Sequence, residues 1–340
     1  MSRGWLVAII VVSSAGAARA GVCPEPATLI GEPPPAGRKQ WCAYRDAKGQ
    51  YVLHGRVATW HDNGYPDMSG EYVDGVRHGA WRQHALDGRL IVASTYVRGV
   101  LDGPYESVED DGTRMVGQFD GGQREGAWQT FDAAGVLLAE GPYRRGKRHG
   151  AWRLRMDDGS YASGPYAGDQ RHGKWVVTWP SGARRAEGQI VHGKRQGAWV
   201  EVDETGVVRA KGSYKDDERA GVWTLFDVGG DKSGVGAMQG ELRIGRWVEW
   251  EDGARLEGDY VAGVREGTWV KSTEDGKTII AQGQYERGRR VGTWTEISTD
   301  GVSRFVGPYV DDVRHGLWEA FMPDGQRVGA ITYDRGVRSN

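Results

Sequence analysis

The sequence predicts an all-β fold, an elongated single-layer antiparallel ribbon built from about 12 β-hairpin repeat units of about 24 residues each. Three observations predict it. A Gly-x-Trp motif recurs at that period, an aromatic or apolar residue and an arginine recur at fixed distances before it, and Asn-Gly or Asp-Gly dipeptides recur after it. Such periodicity is typical of proteins in which each repeat buries its apolar side chains against its neighbours.

The chain begins with a segment that has the features of a secretory signal peptide. Arg3 is followed by an apolar stretch at residues 6–12 and by Ala-Arg-Ala at residues 18–20, a typical cleavage pattern. The apolar stretch is shorter than the roughly 20 residues that span a bilayer. We expect cleavage after Ala20 and a secreted or periplasmic mature chain, with an uncleaved membrane anchor as the alternative.

Residues 21–49 form a proline-rich N-terminal segment that contains both cysteines of the chain. In a secreted protein, a Cys23–Cys42 disulfide would close a loop of about 20 residues and contribute on the order of 3 kcal/mol. The alternative is lipidation of Cys23, which Val22 disfavours because lipoprotein signals place a small residue there. We predict the disulfide, and we expect the segment to cover the edge of the first repeat strand.

The repeat domain, residues 50–340, is organised around the Gly-x-Trp motif. Each motif begins a predicted strand that runs to a tight turn such as Asp158-Gly159, and a second strand carrying Gly-x-Tyr returns. Tyr105 replaces the tryptophan in one repeat, and Val57 marks a degenerate first copy. The predicted structural spine consists of Trp81, Trp128, Trp152, Trp175, Trp199, Trp223, Trp247, Trp269, Trp294 and Trp318.

Burial in these hairpins has to come from a few large side chains because the rest of each repeat is polar. A lone hairpin is marginally stable in water, whereas one Trp or Tyr buries roughly 150–250 Å². A large apolar or aromatic residue stands nine positions before each tryptophan, for example Tyr143 and Tyr166. We therefore expect the rings to stack along one face, with glycine residues allowing the backbone to pass close beneath each ring.

An arginine stands four residues before the motif's tryptophan in ten repeats, and Leu101 interrupts the series. We call this series the arginine row: Arg77, Arg124, Arg148, Arg171, Arg195, Arg219, Arg243, Arg265, Arg290 and Arg314. Each arginine could pack on a tryptophan or pair with a nearby acid. The alternative is that part of the arginine row meets an anionic partner, such as lipid phosphate or an acidic protein.

These motifs resemble the MORN (membrane occupation and recognition nexus) repeat family in its bacterial form. The family pattern, near Gly-x-Tyr-x-x-Gly-x-x-x-Gly-x-Trp with a following Asp-Gly turn, matches residues 141–159 and 307–325 well, and the resemblance covers about residues 50–336. Tryptophan stands where many MORN repeats have a second glycine, which looks like the subgroup sometimes described as antitoxin-like. The resemblance implies a scaffold whose partners differ among members, with lipid-head-group binding attributed to some and dimerisation to others.

The sequence contains no familiar catalytic motif, and we expect neither an enzyme nor a bound cofactor or metal. His78, His149, His172 and His315 recur in separate turns, too far apart to share a metal ion. Residues 109–112 resemble a hairpin turn more than a calcium loop, because the alternating ligands are missing. The formal net charge of −2 argues against a general nucleic-acid binder, which needs an excess of basic residues.

We therefore expect a non-catalytic repeat scaffold for protein–protein interaction in the bacterial envelope or outside the cell. The alternative is a lipid- or glycan-binding module that uses the arginine row and exposed aromatic side chains. Clustering of Trp60, Trp179 and Trp250 on one open face would favour that alternative. Little in the sequence caps the last repeat after Gly336, and we expect a homodimer through that end.

Overall fold

A computed structural model describes residues 23–298 and 301–339, so the predicted signal peptide, residues 1–20, lies outside the described residues. The chain divides into two compact parts, an N-terminal part (Met1–Gly135) and a C-terminal part (Val136–Asn340). Within each part, the described strands pair antiparallel with their neighbours in the chain. No helix of the described residues is long and apolar enough to cross a membrane. The predicted all-β antiparallel hairpin repeat is confirmed.

The N-terminal part contains strands β1 to β9, which pair in chain order. Their bounds are β1 Thr28–Glu32, β2 Lys39–Arg45, β3 Tyr51–Trp60, β4 Pro66–Val73, β5 Val76–His84, β6 Leu90–Val97, β7 Val100–Val108, β8 Arg114–Asp120 and β9 Gln123–Phe131.

The C-terminal part contains strands β10 to β29, which also follow one another across a sheet in chain order. The first ten are β10 Leu137–Arg144, β11 Lys147–Arg155, β12 Tyr161–Ala167, β13 Gln170–Arg171, β14 Gly173–Thr178, β15 Arg184–Val191, β16 Lys194–Val202, β17 Val208–Lys215, β18 Glu218–Phe226 and β19 Lys232–Gln239. The others are β20 Leu242–Glu251, β21 Ala254–Val261, β22 Val264–Thr273, β23 Ile279–Glu286, β24 Arg289–Ile297, β25 Arg304–Val310, β26 Val313–Arg314, β27 Gly316–Phe321, β28 Arg327–Asp334 and β29 Val337–Ser339.

The proline-rich segment forms a hairpin of its own, β1 with β2, and β2 then pairs with β3. A disulfide joins Cys23 to Cys42, with the two Cα atoms 5.6 Å apart. Cys42 and Ala43 on β2 are buried. The first repeat strand is therefore paired along its outer edge, and the disulfide ties the start of the described chain to that hairpin.

Most strands that carry the Gly-x-Trp motif begin about three residues before its glycine, not at the motif as the sequence predicted, and contain a bulge just before the tryptophan. In β18, Ala220 pairs with Ser213 and Thr224 pairs with Lys211, so β18 has two more residues between these pairs than β17 has. Gly221 lies in the bulge with φ of +69°, a left-handed value that glycine adopts without strain. Arg219 and Trp223 are an even number of residues apart and therefore lie on the same face. The bulge between them shortens the strand locally and brings the arginine toward the tryptophan.

A second class of glycine makes room for the tryptophan rings. A Cβ atom added to Gly212 would lie 2.2–2.5 Å from three ring atoms of Trp223, although the backbone conformation at Gly212 is an ordinary one. Each tryptophan of the spine has a glycine eleven residues earlier, whereas Tyr105, the one tyrosine in that position, has Ser94 there. The glycine is therefore required by the indole that lies on it.

Candidate binding surface

In each part of the chain, the side of the sheet that carries the spine tryptophans is closed by aromatic side chains, and we call this side the ring face. All ten spine tryptophans are buried, and Trp223 and Trp247 are 0 % exposed. In the C-terminal part, tyrosine and tryptophan alternate edge to face with ring centroids 5.2–6.4 Å apart. Each spine indole N–H there donates to the carbonyl ten residues earlier, as Trp247 does to Ala237 at 2.9 Å. Such edge-to-face pairs add stability beyond the area they bury.

Two aliphatic side chains interrupt this alternation of rings. Ile190 stands between Trp175 and Trp199, and Met238 stands between Trp223 and Trp247. Both occupy the place that tyrosine has in most repeats, and both are buried. They leave no ring and no hydroxyl group at that position of the ring face.

The arginine row lies on the ring face, over the tryptophans. The guanidinium carbon is 4.4–5.8 Å from the ring centroid of the tryptophan four residues later in nine of the ten repeats. In the tenth, Arg195 lies 3.9 Å over Tyr214 instead. The repeat that has tyrosine in place of tryptophan, at Tyr105, has Leu101 in place of arginine. The arginine thus accompanies the indole, as expected for cation–π packing.

Four arginines of the row also pair with glutamates on the ring face. Glu249 is 8 % exposed at its side chain, accepts a hydrogen bond from the Tyr260 hydroxyl at 2.9 Å, and contacts both Arg243 and Arg265. Burial disfavours the charged guanidinium of Arg265, but the Tyr260 hydrogen bond and the charge of Glu249 outweigh it and raise the pKa of Arg265. The side chain is thereby fixed in its charged form.

The same arrangement recurs in two other repeats. Glu201 accepts from Tyr214 at 2.8 Å and from Arg219 at 2.8 Å. Glu296 accepts from Tyr309 at 2.8 Å and pairs with Arg314. Sequence analysis missed these glutamates, although the sequence carries a signal: glutamate stands two residues after the tryptophan in three repeats. The even spacing puts both on one face of a strand.

Three other arginines turn toward the aspartate of the next turn. Arg148 pairs with Asp169 at 3.6 Å, Arg195 with Asp217 at 3.2 Å, and Arg290 with Asp312 at 3.6 Å. In each pair the aspartate also accepts a hydrogen bond from the arginine's own backbone N–H at 2.8–2.9 Å. Seven arginines of the row are therefore balanced by a carboxylate of the same chain.

A groove opens on the ring face where Ile190 interrupts the rings, and we call it the Ile190 groove. Its volume is about 730 Å³. Its walls include Trp175, Ile190, Trp199, Trp179 and Arg171. Nine of its sixteen lining residues are apolar and seven are charged, and its volume falls in the size range of ligand sites.

The opposite face of the sheet is more open. Several valines occupy either the position just after a spine tryptophan or the position that pairs with it on the neighbouring strand. We call them the valine row: Val176, Val200, Val235, Val248, Val270 and Val306. All six are partly exposed, and Glu187, Lys211, Glu257 and Thr295 alternate with them along the same register. This face therefore presents apolar side chains between charged ones.

The aromatic side chains proposed for a lipid or glycan site do not share one face in the C-terminal part. Trp179 lines the Ile190 groove, and its indole N–H donates to the Val202 carbonyl at 3.2 Å. Trp250 stands three residues after Trp247 on β20 and faces the other side of the sheet. Trp60, on β3 of the N-terminal part, is half-buried.

The sequence placed the four repeated histidines in turns, but His78 and His149 lie on β5 and β11. His172 follows the short strand β13, and its ring is 6.1 Å from that of His192. Within residues 23–298 and 301–339, no group of three or more His, Cys, Asp or Glu side chains is arranged to hold a metal ion.

Residues 124–145 match a family model described as MORN repeat variant. The match spans β9 and the start of the next hairpin, and its register continues through the repeats on either side. No curated protein matches the chain.

Proposed function

We propose that this chain is a non-catalytic scaffold that binds protein partners in a bacterial envelope or outside the cell. The valine row carries the proposal. It places partly exposed apolar side chains on neighbouring strands of a rigid sheet, bordered by charged residues, and such surfaces are typical of protein interfaces. Repeat proteins commonly bind through an extended face of this kind.

The location outside the cytoplasm rests on two features. A disulfide between Cys23 and Cys42 is typical of an oxidising compartment. The first 20 residues have the features of a cleaved signal peptide. We further propose that all repeats belong to the variant matched at residues 124–145, and that an inhibitory role toward a partner, as the antitoxin-like resemblance implies, is one form of this function.

Capture of partners from the native host with two matched variants tests the proposal. We expect Val235→Lys with Val248→Lys to reduce recovery of the partner at least tenfold, because both side chains lie next to each other at the centre of the valine row. The control Val228→Lys, at a turn residue that is 82 % exposed, should recover the partner normally. Equal recovery by both variants, with both folded, would refute a role for this face.

The lipid-binding alternative predicts a different result. Seven arginines of the row already have a carboxylate partner, so few positive charges are left to attract phosphate. We expect no salt-sensitive sedimentation with phosphatidylglycerol vesicles. Sedimentation at low salt that disappears at high salt would favour lipid binding over a protein partner.

We also propose that the chain self-associates through its last strands. Strand β28 pairs with β27 along its length, but its pairing with β29 covers only Thr332 to Asp334. The earlier part of β28 is thus an open edge in the described structure, and open edges pair with other strands. Light scattering should show a dimer, and Val328→Pro on that edge should make it monomeric.

A further inference from the structure

The charged side chains that line the Ile190 groove are paired, with one exception. Arg195 pairs with Asp217, Arg209 with Asp203, and Glu201 with Arg219. Arg185 pairs with Asp158 outside the lining at 2.6 Å. The remaining lining charge is Arg171, which is exposed and has no carboxylate within 4.0 Å among the described residues. The groove therefore has one uncompensated positive charge.

Arg171 adopts the position of the arginines that turn toward an aspartate. Its guanidinium lies 5.7 Å from the Trp175 ring, as Arg148 and Arg290 lie 5.8 Å from theirs. Arg148 and Arg290 pair with Asp169 and Asp312, but the equivalent residue for Arg171 is Gly193, which has no side chain. Arg171 donates to the Gly193 carbonyl at 3.1 Å, as Arg195 and Arg290 donate to the carbonyls of Asp217 and Asp312, but it has no carboxylate beside that carbonyl.

Arg171 also lacks a hydroxyl group to which its guanidinium could donate a hydrogen bond. Arg148 donates to the Tyr166 hydroxyl at 3.2 Å, and Arg243 donates to the Tyr260 hydroxyl at 3.1 Å. The residue at that place opposite Arg171 is Ile190, which has no acceptor. This repeat thus lacks both the carboxylate and the ring that complete the ring face elsewhere.

We propose that the Ile190 groove binds a segment of a protein partner that presents an acidic side chain next to a bulky apolar one. The partner's carboxylate pairs with Arg171, as Asp217 pairs with Arg195 and Asp312 with Arg290. The apolar side chain fills the space that Ile190, smaller than a tyrosine, leaves on the ring face, and it packs beside the partly exposed Trp179. This inference rests on the proposed function, because it gives the chemistry of the partner that the scaffold binds.

Calorimetry with short peptides tests the inference on the mature chain. The probes are acetyl-Leu-Phe-Asp-Leu-amide and acetyl-Leu-Asp-Phe-Leu-amide, each with a counterpart in which Asn replaces Asp. At least one Asp peptide should bind, with its Asn counterpart at least tenfold weaker, as expected for the loss of one charge-assisted hydrogen bond. Failure of both Asp peptides to bind at millimolar concentration, or equal binding of the Asn peptides, would overturn the inference.

Two variants locate the site. Gly193→Asp should abolish binding because it supplies the carboxylate from the chain itself. The backbone accepts this change, since Asp169, Asp217 and Asp312 adopt φ of +69° to +74° in the same position and a Cβ at Gly193 meets no atom within 4 Å. Arg171→Gln should also abolish binding.

Matched controls separate charge from structure. Gly193→Asn places a side chain at the same positive φ but adds no charge. Arg338→Gln removes a different exposed arginine. Both variants should bind the Asp peptide normally. Loss of binding in these folded controls as well would place the site elsewhere. If Gly193→Asp recovers a native partner as well as the unchanged protein does, the groove inference fails while the scaffold function stands. If no variant and no unchanged protein recovers a partner, the proposed function fails.

Discussion

The contact between glycine and tryptophan on the ring face gives the sharpest prediction about stability. A serine at Gly212 would bring its Cβ to 2.2 Å from Cδ2 of Trp223, which is fully buried. Ordinary contact needs about 3.4 Å, so the ring would have to retreat by about 1 Å in a packed core, and we expect Gly212→Ser to cost about 3 kcal/mol.

The chain itself shows how to relieve this clash, because Ser94 and Tyr105 occur together. Trp223→Tyr alone should cost about 2 kcal/mol, since it removes buried ring area and the indole hydrogen bond to the Ser213 carbonyl. In the double variant the smaller ring leaves room for serine. We therefore expect the double variant to be about 2 kcal/mol more stable than the sum of the two single effects.

Denaturant titration and hydrogen exchange of β17 and β18 together measure these effects, because repeats can open locally before the whole chain unfolds. Gly329→Ser is the matched control, since Gly329 is a strand glycine whose added Cβ would meet no atom within 4 Å. A Gly212→Ser protein as stable as this control, or strictly additive single effects, would refute the steric reasoning.

Four further predictions follow from the described contacts. Glu249→Leu should destabilise the C-terminal part by about 2 kcal/mol in denaturant titration, because Arg243 and Arg265 lose their shared carboxylate; an unchanged midpoint would contradict it. Burial and the acceptor Glu201 raise the pKa of Tyr214 above 10.0, so its contribution to stability is present below pH 10 and is lost as the pH rises through the raised value. In near-ultraviolet titration, Tyr214→Phe should therefore show one late-ionising phenol fewer than the unchanged protein, in which the pKa of Tyr309 is raised as well. Hydrogen bonds from Ser160 and the neighbouring Arg185 lower the pKa of Asp158 from 3.8 to about 2, so its contribution is present above pH 3.8 and is lost as the pH falls through about 2. Carboxyl carbon NMR should show this titration and its upward shift in Ser160→Ala, and a value near 3.8 in the unchanged protein would count against the contact. Cys23→Ser with Cys42→Ser should lower the stability of the N-terminal part by about 3 kcal/mol, because the unfolded chain regains the entropy of the loop; calorimetry in which reduction leaves the melting of the N-terminal part unchanged would argue against it.

Much of the fold could be predicted from the sequence because the repeat fixes local geometry. Asp158-Gly159 and its equivalents specify tight turns by their backbone preferences, and alternation along each strand separates the ring face from the valine row. The spacing also indicated that arginine accompanies tryptophan. These are properties of single hairpins, and each hairpin repeats them.

The sequence by itself therefore determined the all-β class, the period of the repeats and the residues that face the rings. Only the tertiary structure decided which partner each arginine takes, because the carboxylate often comes from another strand, as Glu249 on β20 does for Arg265 on β22 and Asp217 does for Arg195. It also decided that Ile190 opens a groove while Met238 interrupts the rings between other tryptophans. An unfilled space and an unpaired charge are defined by what surrounds them in three dimensions, and spacing along the chain does not specify those surroundings.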